Sequence, residues 1–212
     1  MKIYQIVNYF ISLLVICSPL SALPALLSMT HGQSLGEKRQ TGIVAGFAVG
    51  VILVVVTWIG GPVLNVLGIS VHAFQIAGGF IILMLAFSML KAEQSRIKQA
   101  TEDQKEANIK ESVAVVPLAI PIMAGPGAIS TVIVAVSEYP GFLNQVFLMF
   151  SGILVAIVLG IVLYFASSIE KVLGHTGINI VNRIGGLILA AMAIESIAHG
   201  ALVLFPGLGK PG

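Results

Sequence analysis

Val116-Pro-Leu-Ala-Ile-Pro-Ile-Met-Ala-Gly-Pro-Gly-Ala-Ile-Ser-Thr-Val132 is apolar enough to sit in a membrane, yet it carries Pro117, Pro121, Gly125, Pro126 and Gly127. A helix interior tolerates neither proline, which removes an N–H and clashes with the preceding turn, nor paired glycine, which gives up the most backbone freedom. The simplest reading is one span made of two half-helices with a break at Gly125-Pro126-Gly127. Glycine suits the end of a helix and proline the first position of the next. Such a break leaves backbone N–H and C=O groups unpaired, which hydrocarbon tolerates only where the break is buried in protein or lines a cavity. The stretch is therefore a candidate binding site. The alternative is a proline kink between packed helices with no ligand.

The rest of the chain fits a membrane setting. Of its 212 residues, 57% are hydrophobic and only 9% charged, against about 25% charged in soluble domains, and the mean hydropathy is +1.02. An all-α integral membrane protein follows. Six apolar stretches reach the roughly 20 residues that a span requires, near 6–29, 41–60, 72–91, 113–136, 143–167 and 180–205. They are separated by the polar run His31 to Gln40, by Gly60-Gly61-Pro62, by a charged segment, by Tyr139-Pro140-Gly141 and by Gly174-His175-Thr176-Gly177. Lys2 ahead of the apolar run Ile11 to Ile16, with the small pair Ser21-Ala22, has the outline of a secretory signal, but cleavage there would remove part of the repeat described below.

The charged segment, Lys91 to Glu111, holds five basic and five acidic residues and reads as a solvated linker. It divides the chain into an N-terminal three-helix unit (1–91), a cytoplasmic linker (92–111) and a C-terminal three-helix unit (112–212). Lys and Arg distribute unevenly across six spans. Lys2 and Lys210 lie on the side of the termini and the other nine of the 11 on the opposite side. Basic residues are retained in the cytoplasm, so both termini are expected outside, at the periplasmic face of a bacterial inner membrane, with the linker inside. Tyr4, Tyr9, Trp58 and Tyr139 then fall near the outer boundary as an aromatic belt.

Laid over itself with Pro19 on Pro126, the chain partly matches its own second half. In that register Gly78-Gly79-Phe80-Ile81-Ile82 falls on Gly185-Gly186-Leu187-Ile188-Leu189, and Gln75 on Asn182. The first span thus has its own counterpart of the break, Ser18-Pro19-Leu20-Ser21-Ala22-Leu23-Pro24. The alternative is chance similarity between apolar helices rich in small residues. Three spans per unit is an odd number, so the second unit enters the membrane from the opposite side and the two are inverted repeats with interrupted helices 1 and 4. Matched interrupted spans in inverted halves point to a transport site near the midplane. Half-helix N-termini at Pro19 and Pro126 present free N–H groups and about half a positive charge each, which suits a carboxylate. Carbonyls on the opposing ends suit an ammonium group, so a small zwitterion fits both poles.

The same residues carry a resemblance. The run from Val116 to Thr131, Gly68-Ile69-Ser70 followed by Ile76-Ala77-Gly78-Gly79, and Thr176-Gly177-Ile178-Asn179 followed by Arg183-Ile184-Gly185 resemble the signature of the MarC-type family of bacterial inner-membrane proteins. The resemblance implies six spans in two inverted halves and a place among neutral amino-acid transporters, with a historical association with multiple antibiotic resistance. Relatives often have Asn-Pro in the first span where this chain has Ser18-Pro19, so a hydroxyl replaces an amide there.

The expected function is a secondary transporter of small neutral amino acids or similar small metabolites, alternating access around a midplane site. The alternative is a passive channel or a non-transporting membrane partner protein. The substrate-binding candidates are Ser18, Pro19, Ser21, Pro24, Gly125, Pro126, Gly127, Ser130 and Thr131, whose hydroxyls would otherwise cap freed backbone. Glu195, inside the sixth span, and His199 one turn on are candidates for carrying a coupling proton, or else a structural pair. Gln75 and Asn182, expected near the cytoplasmic ends of spans three and six, read as amides that bond between helices. There is no phosphate-binding Gly-x-x-x-x-Gly-Lys-Ser/Thr motif, no Gly-x-Ser-x-Gly elbow and no His-Glu-x-x-His, so neither ATP use nor an enzyme is expected. Cys17 is alone and no histidine pair has metal-ligand spacing, so no disulfide, metal or cofactor is expected. The partners expected are a small-molecule substrate and the lipid bilayer; no nucleic acid is expected, and the oligomeric state is not legible.

Overall fold

The structure, a computed structural model, describes residues 2–30, 33–91 and 123–206. The linker 92–111, the first part of the stretch quoted above, His31 and Lys210 lie outside the described residues. The described chain folds into α1 (Ile3–Cys17), α2 (Pro19–Met29), α3 (Leu35–Val66), α4 (Val71–Lys91), α5 (Pro126–Glu138), α6 (Phe142–Tyr164) and α7 (Ala166–Leu204), with no strand among the described residues. Five segments are long and apolar enough to cross a membrane: Ile3–Leu23, Leu35–Val66, Val71–Leu90, Phe142–Tyr164 and Thr176–Leu204. The fourth expected span, 113–136, is described only from Met123, and its 13-residue helix α5 is too short to cross alone at about 1.5 Å per residue.

One boundary differs from the sequence reading. Gly60-Gly61-Pro62 does not end the second span; α3 carries Pro62 inside it and runs to Val66. Pro62 sits in the last turns, where the hydrogen-bond ladder is being given up anyway. Gln145 of α6 donates to the Thr57 carbonyl at 2.7 Å, next to the carbonyl that Pro62 leaves without its helical donor. The helix stops at Gly68, φ +68, where Ile69 N–H reaches Leu64 O at 2.9 Å and Gly68 N–H reaches Asn65 O at 3.1 Å. That pair of bonds is a Schellman cap, which requires the left-handed residue that glycine supplies. Gly174 (φ 62, ψ 175) breaks the helical run within α7 at the expected joint, and the span that follows begins at Thr176.

Helices pack where side chains are absent. Across α3 and α6, a Cβ on Gly46 would lie 2.7 Å from Gly160 Cα, and one on Gly42 2.9 Å from the Leu163 carbonyl carbon. Gly42, Gly46 and Gly50 meet Leu163, Gly160 and Ala156 in turn, so the two backbones come into contact along these turns. Across α4 and α7, a Cβ on Gly79 would meet Ala193 O at 3.1 Å and one on Gly186 would meet Ala86 O at 3.0 Å. The order of these contacts makes both pairs antiparallel. Leu13, Leu23, Leu53, Leu148, Leu159 and Leu189 fill the core between the pairs. Large apolar residues such as Phe47, Met84, Phe150 and Leu187 point outward, as a lipid-facing surface demands.

Candidate functional site

The first interruption is confined to one residue. Ser18 adopts φ 38, ψ 72, its N–H bonds back to Leu14 O and Val15 O, and α2 starts at Pro19. This left-handed conformation costs a non-glycine residue about 1–2 kcal/mol. It persists because the proline that follows cannot donate to the α1 ladder and suits the first position of α2. The break expected over residues 18–24 is therefore narrower, since Pro24 falls within α2. Ser18 Oγ and Ser21 Oγ lie 2.5 Å apart, and Ser21 Oγ donates to Asn182 Oδ1 on α7 at 3.0 Å. Replacing Ser21 with Ala is expected to lower stability by about 0.6–1.7 kcal/mol, the range for hydrogen bonds between membrane helices. Thermal unfolding in detergent measures it.

The second break expected from sequence is described only on its C-terminal side. Gly125 (φ −66, ψ 178) caps α5 and Pro126 opens it. Pro126 is exposed and Gly127 is buried. A Cβ on Gly127 would sit 2.7 Å from Ile82 Cγ1 and 3.8 Å from Ile16 Cγ2. Ile16 closely precedes Ser18, so the last turn of α1 and the first turn of α5 touch in the core. Beyond them, Thr131 Oγ1 donates to Gly127 O at 2.9 Å and Ser130 Oγ to Phe74 O at 3.2 Å. Both hydroxyls bond to carbonyls inside helices, one of their own helix and one of α4, rather than to backbone freed at a break.

Ser130 and Thr131 also line a cleft of about 500 Å³ between α1, α4, α5 and α7. Its wall includes Tyr9, Gln75, Glu138, Glu195, Ser196 and His199, together with apolar Ile16, Ile82 and Met192. His199 Nδ1 lies 3.8 Å from Glu138 Oε1 and 3.4 Å from Gln75 Nε2. The structure thus brings Ser130, Thr131, Glu195 and His199 to one cleft. Ser18, Pro19 and Ser21 sit at the other interruption, beside Asn182.

Two expectations are corrected here. Gln75 and Asn182 are not at the same end: Gln75 faces His199, while Asn182 lies several turns earlier on the helix that carries His199. Antiparallel packing of α4 against α7 puts the matched amides at opposite ends. Tyr9 is not a belt residue at a lipid boundary but is buried in the cleft wall, 7% exposed. Sequence reasoning also missed Glu138. A signal was present for Tyr9, because Gln5, Asn8, Tyr9 and Ser12 make a polar stripe at helical spacing in an otherwise apolar span, and all four line the cleft.

The model of the MarC family of integral membrane proteins matches residues 3–205. The chain belongs to the MarC family. Among its relatives, the UPF0056 membrane protein BU267 of Buchnera aphidicola is 38% identical over 202 residues, covering 95% of this chain and 94% of that protein. The UPF0056 membrane protein YhcE of Escherichia coli is 37% identical over the same shares of each chain. The UPF0056 membrane protein YvbG of Bacillus subtilis is 32% identical, covering 96% of this chain and 97% of that one. No solved structure matches the chain. This MarC chain is accordingly an integral, multi-pass membrane protein.

Proposed function

We propose that this MarC protein is a secondary transporter of small neutral amino acids or similar small metabolites, alternating access between two inverted three-helix repeats. One observation carries the reading: the break at Ser18-Pro19 and the helix start at Gly125-Pro126 occupy matched positions of the sequence and approach each other in the core through Ile16 and Gly127. Paired interruptions of this kind are how membrane carriers hold a substrate near the midplane.

The packing supports the repeats. Gly79 against Ala193 and Gly186 against Ala86 are one contact repeated, since the register that lays Pro19 on Pro126 also lays Gly79 on Gly186 and Ala86 on Ala193. Helices that pack antiparallel on their own counterparts are what a two-fold axis in the membrane plane produces. The charge distribution favours both termini outside and the linker in the cytoplasm. The cleft that Glu195 and His199 line then opens outward, and those two residues with Glu138 are where a coupling proton would be held. Glu195→Gln is expected to cut proton-driven uptake at least about tenfold while leaving exchange of internal for external substrate, because neutralising one intramembrane carboxylate removes the coupling charge and not the path.

Counterflow of labelled alanine and its neutral analogues in reconstituted vesicles tests the reading. A carrier gives saturable flux accelerated by substrate on the far side. A flux that never saturates would make the protein a channel, and no flux of any neutral amino acid would remove the proposal.

A further inference from the structure

We propose that the groove between α3 and α6 is a binding site for an anionic phospholipid, with one acyl chain lying in the groove and the phosphate held among Lys38, Arg39 and Lys171. The groove encloses about 700 Å³, and of the residues lining it only Tyr164 carries a polar side chain. Phe47 of α3 and Ile161 of α6 stand outward as its two rims. A Cβ on Gly160, between them, would meet nothing within 4 Å, so the trough has room there for a guest. From Ile43 to Val55 it runs about 18 Å at 1.5 Å per residue. That is close to half of the roughly 30 Å hydrocarbon core, the depth of one leaflet. A helix of a second copy would need a face running the full thickness.

The end of the groove selects the lipid. Tyr164 also lines a smaller pocket of about 80 Å³, together with Lys38, Arg39, Ser167, Ser168 and Lys171. Three cations and two hydroxyls are all donors, and among the described residues no Asp or Glu lines this pocket. Glu37, adjacent in sequence, instead accepts from Ser34 N–H at 2.8 Å and Ser34 Oγ at 3.0 Å. Arg39 Cζ lies 4.7 Å from the centre of the Tyr164 ring. Stacking uses the face of a guanidinium and leaves its in-plane N–H groups for an oxyanion. The pocket is well below the roughly 300 Å³ at which metabolite sites begin, so it suits a phosphate whose remaining bulk lies elsewhere. Donor-lined pocket and apolar trough thus meet at one tyrosine, in the order in which a lipid presents its headgroup and chain. The charge distribution favours placing this end at the cytoplasmic face, where the leaflet is anionic and basic pockets between helices take up acidic headgroups. Such binding requires neither transport nor a substrate, so it stands or falls apart from the carrier reading.

The test uses the full-length protein, delipidated in detergent, with native mass spectrometry and thermal unfolding as readouts. The probes are dioleoylphosphatidylglycerol, dioleoylphosphatidylcholine, which has the same chains but no net charge, and inorganic phosphate. Phosphatidylglycerol is expected to bind and to raise the unfolding temperature, phosphatidylcholine to bind at least about tenfold more weakly, and phosphate alone not to bind. Arg39→Gln combined with Lys171→Gln, both at exposed positions, is expected to weaken phosphatidylglycerol binding about thirtyfold, roughly fivefold for each basic residue. Gly160→Leu, which fills the trough, is expected to weaken it about tenfold. Should Gly160→Leu fail to fold, the exposed pair decides. Equal binding of the two lipids would make the groove a seat for bulk lipid and overturn the assignment. So would phosphate binding as tightly as the lipid, unchanged binding in the variants, or a change of oligomeric state in lipid-free Gly160→Leu, which would make the groove a contact between copies.

Discussion

Gly46→Leu is expected to leave little folded protein, and even Gly46→Ala to lose about 1–3 kcal/mol, the usual penalty for overpacking. The reason is the atoms a new Cβ would meet: Gly160 Cα at 2.7 Å, Gly160 N at 2.9 Å and Ala156 O at 3.1 Å. These are backbone atoms and cannot turn aside as the end of a side chain can. Helices α3 and α6 would have to separate. Membrane helices have little hydrophobic drive to hold them together, so close backbone contact supplies much of their attraction. Gly61 is the control: nothing lies within 4 Å of its would-be Cβ, and Gly61→Ala is expected to be neutral or to stabilise by up to about 1 kcal/mol through helix propensity. Folded yield and thermal unfolding in detergent separate the two outcomes.

The second large effect is on function rather than folding. Replacing Ser18 and Pro19 together with Leu is expected to heal the first interruption, letting α1 run into α2 as one helix. Leucine restores the N–H that proline lacks and strongly prefers the right-handed conformation over the φ of 38 that Ser18 adopts. On the proposed carrier reading the protein stays folded while flux falls at least about tenfold, because a continuous helix leaves no free backbone groups where a substrate would bind. Ser18→Gly, which keeps the left-handed φ without strain, is expected to retain flux. Uptake normalised to protein that elutes as folded in size-exclusion chromatography makes the comparison.

Much of the fold was legible because apolar length and proline position are local properties. Pro19 and Pro126 each open a helix, as proline next to a residue that can end one should. Pro62 misled because the cost of a proline depends on where in the helix it sits, and in α3 it falls where the ladder is ending and Gln145 reaches in from another helix. The cleft was only half legible. Glu195 and His199 stand out in an apolar span, being costly there. Tyr9 looked like an interfacial aromatic because a tyrosine near a span end has the same sequence context whether it faces lipid or protein. Deciding between them requires knowing that α4, α5 and α7 close over it, which is tertiary information. Gln75 was misplaced because α4 packs antiparallel on α7, which sets it beside His199 and away from Asn182.

The proposed alternation of access at Ser18-Pro19 and Gly125-Pro126 is most directly tested by thiol accessibility. Cys17 is the only cysteine and is buried, so Cys17→Ala gives a clean background for Ser21→Cys and Thr131→Cys. Membrane-impermeant maleimide is applied to right-side-out and to inverted vesicles, with and without alanine. Both thiols should be labelled from either face, with alanine shifting the balance between faces. Labelling of each thiol from one face only, unchanged by any neutral amino acid, would contradict alternation about these two breaks.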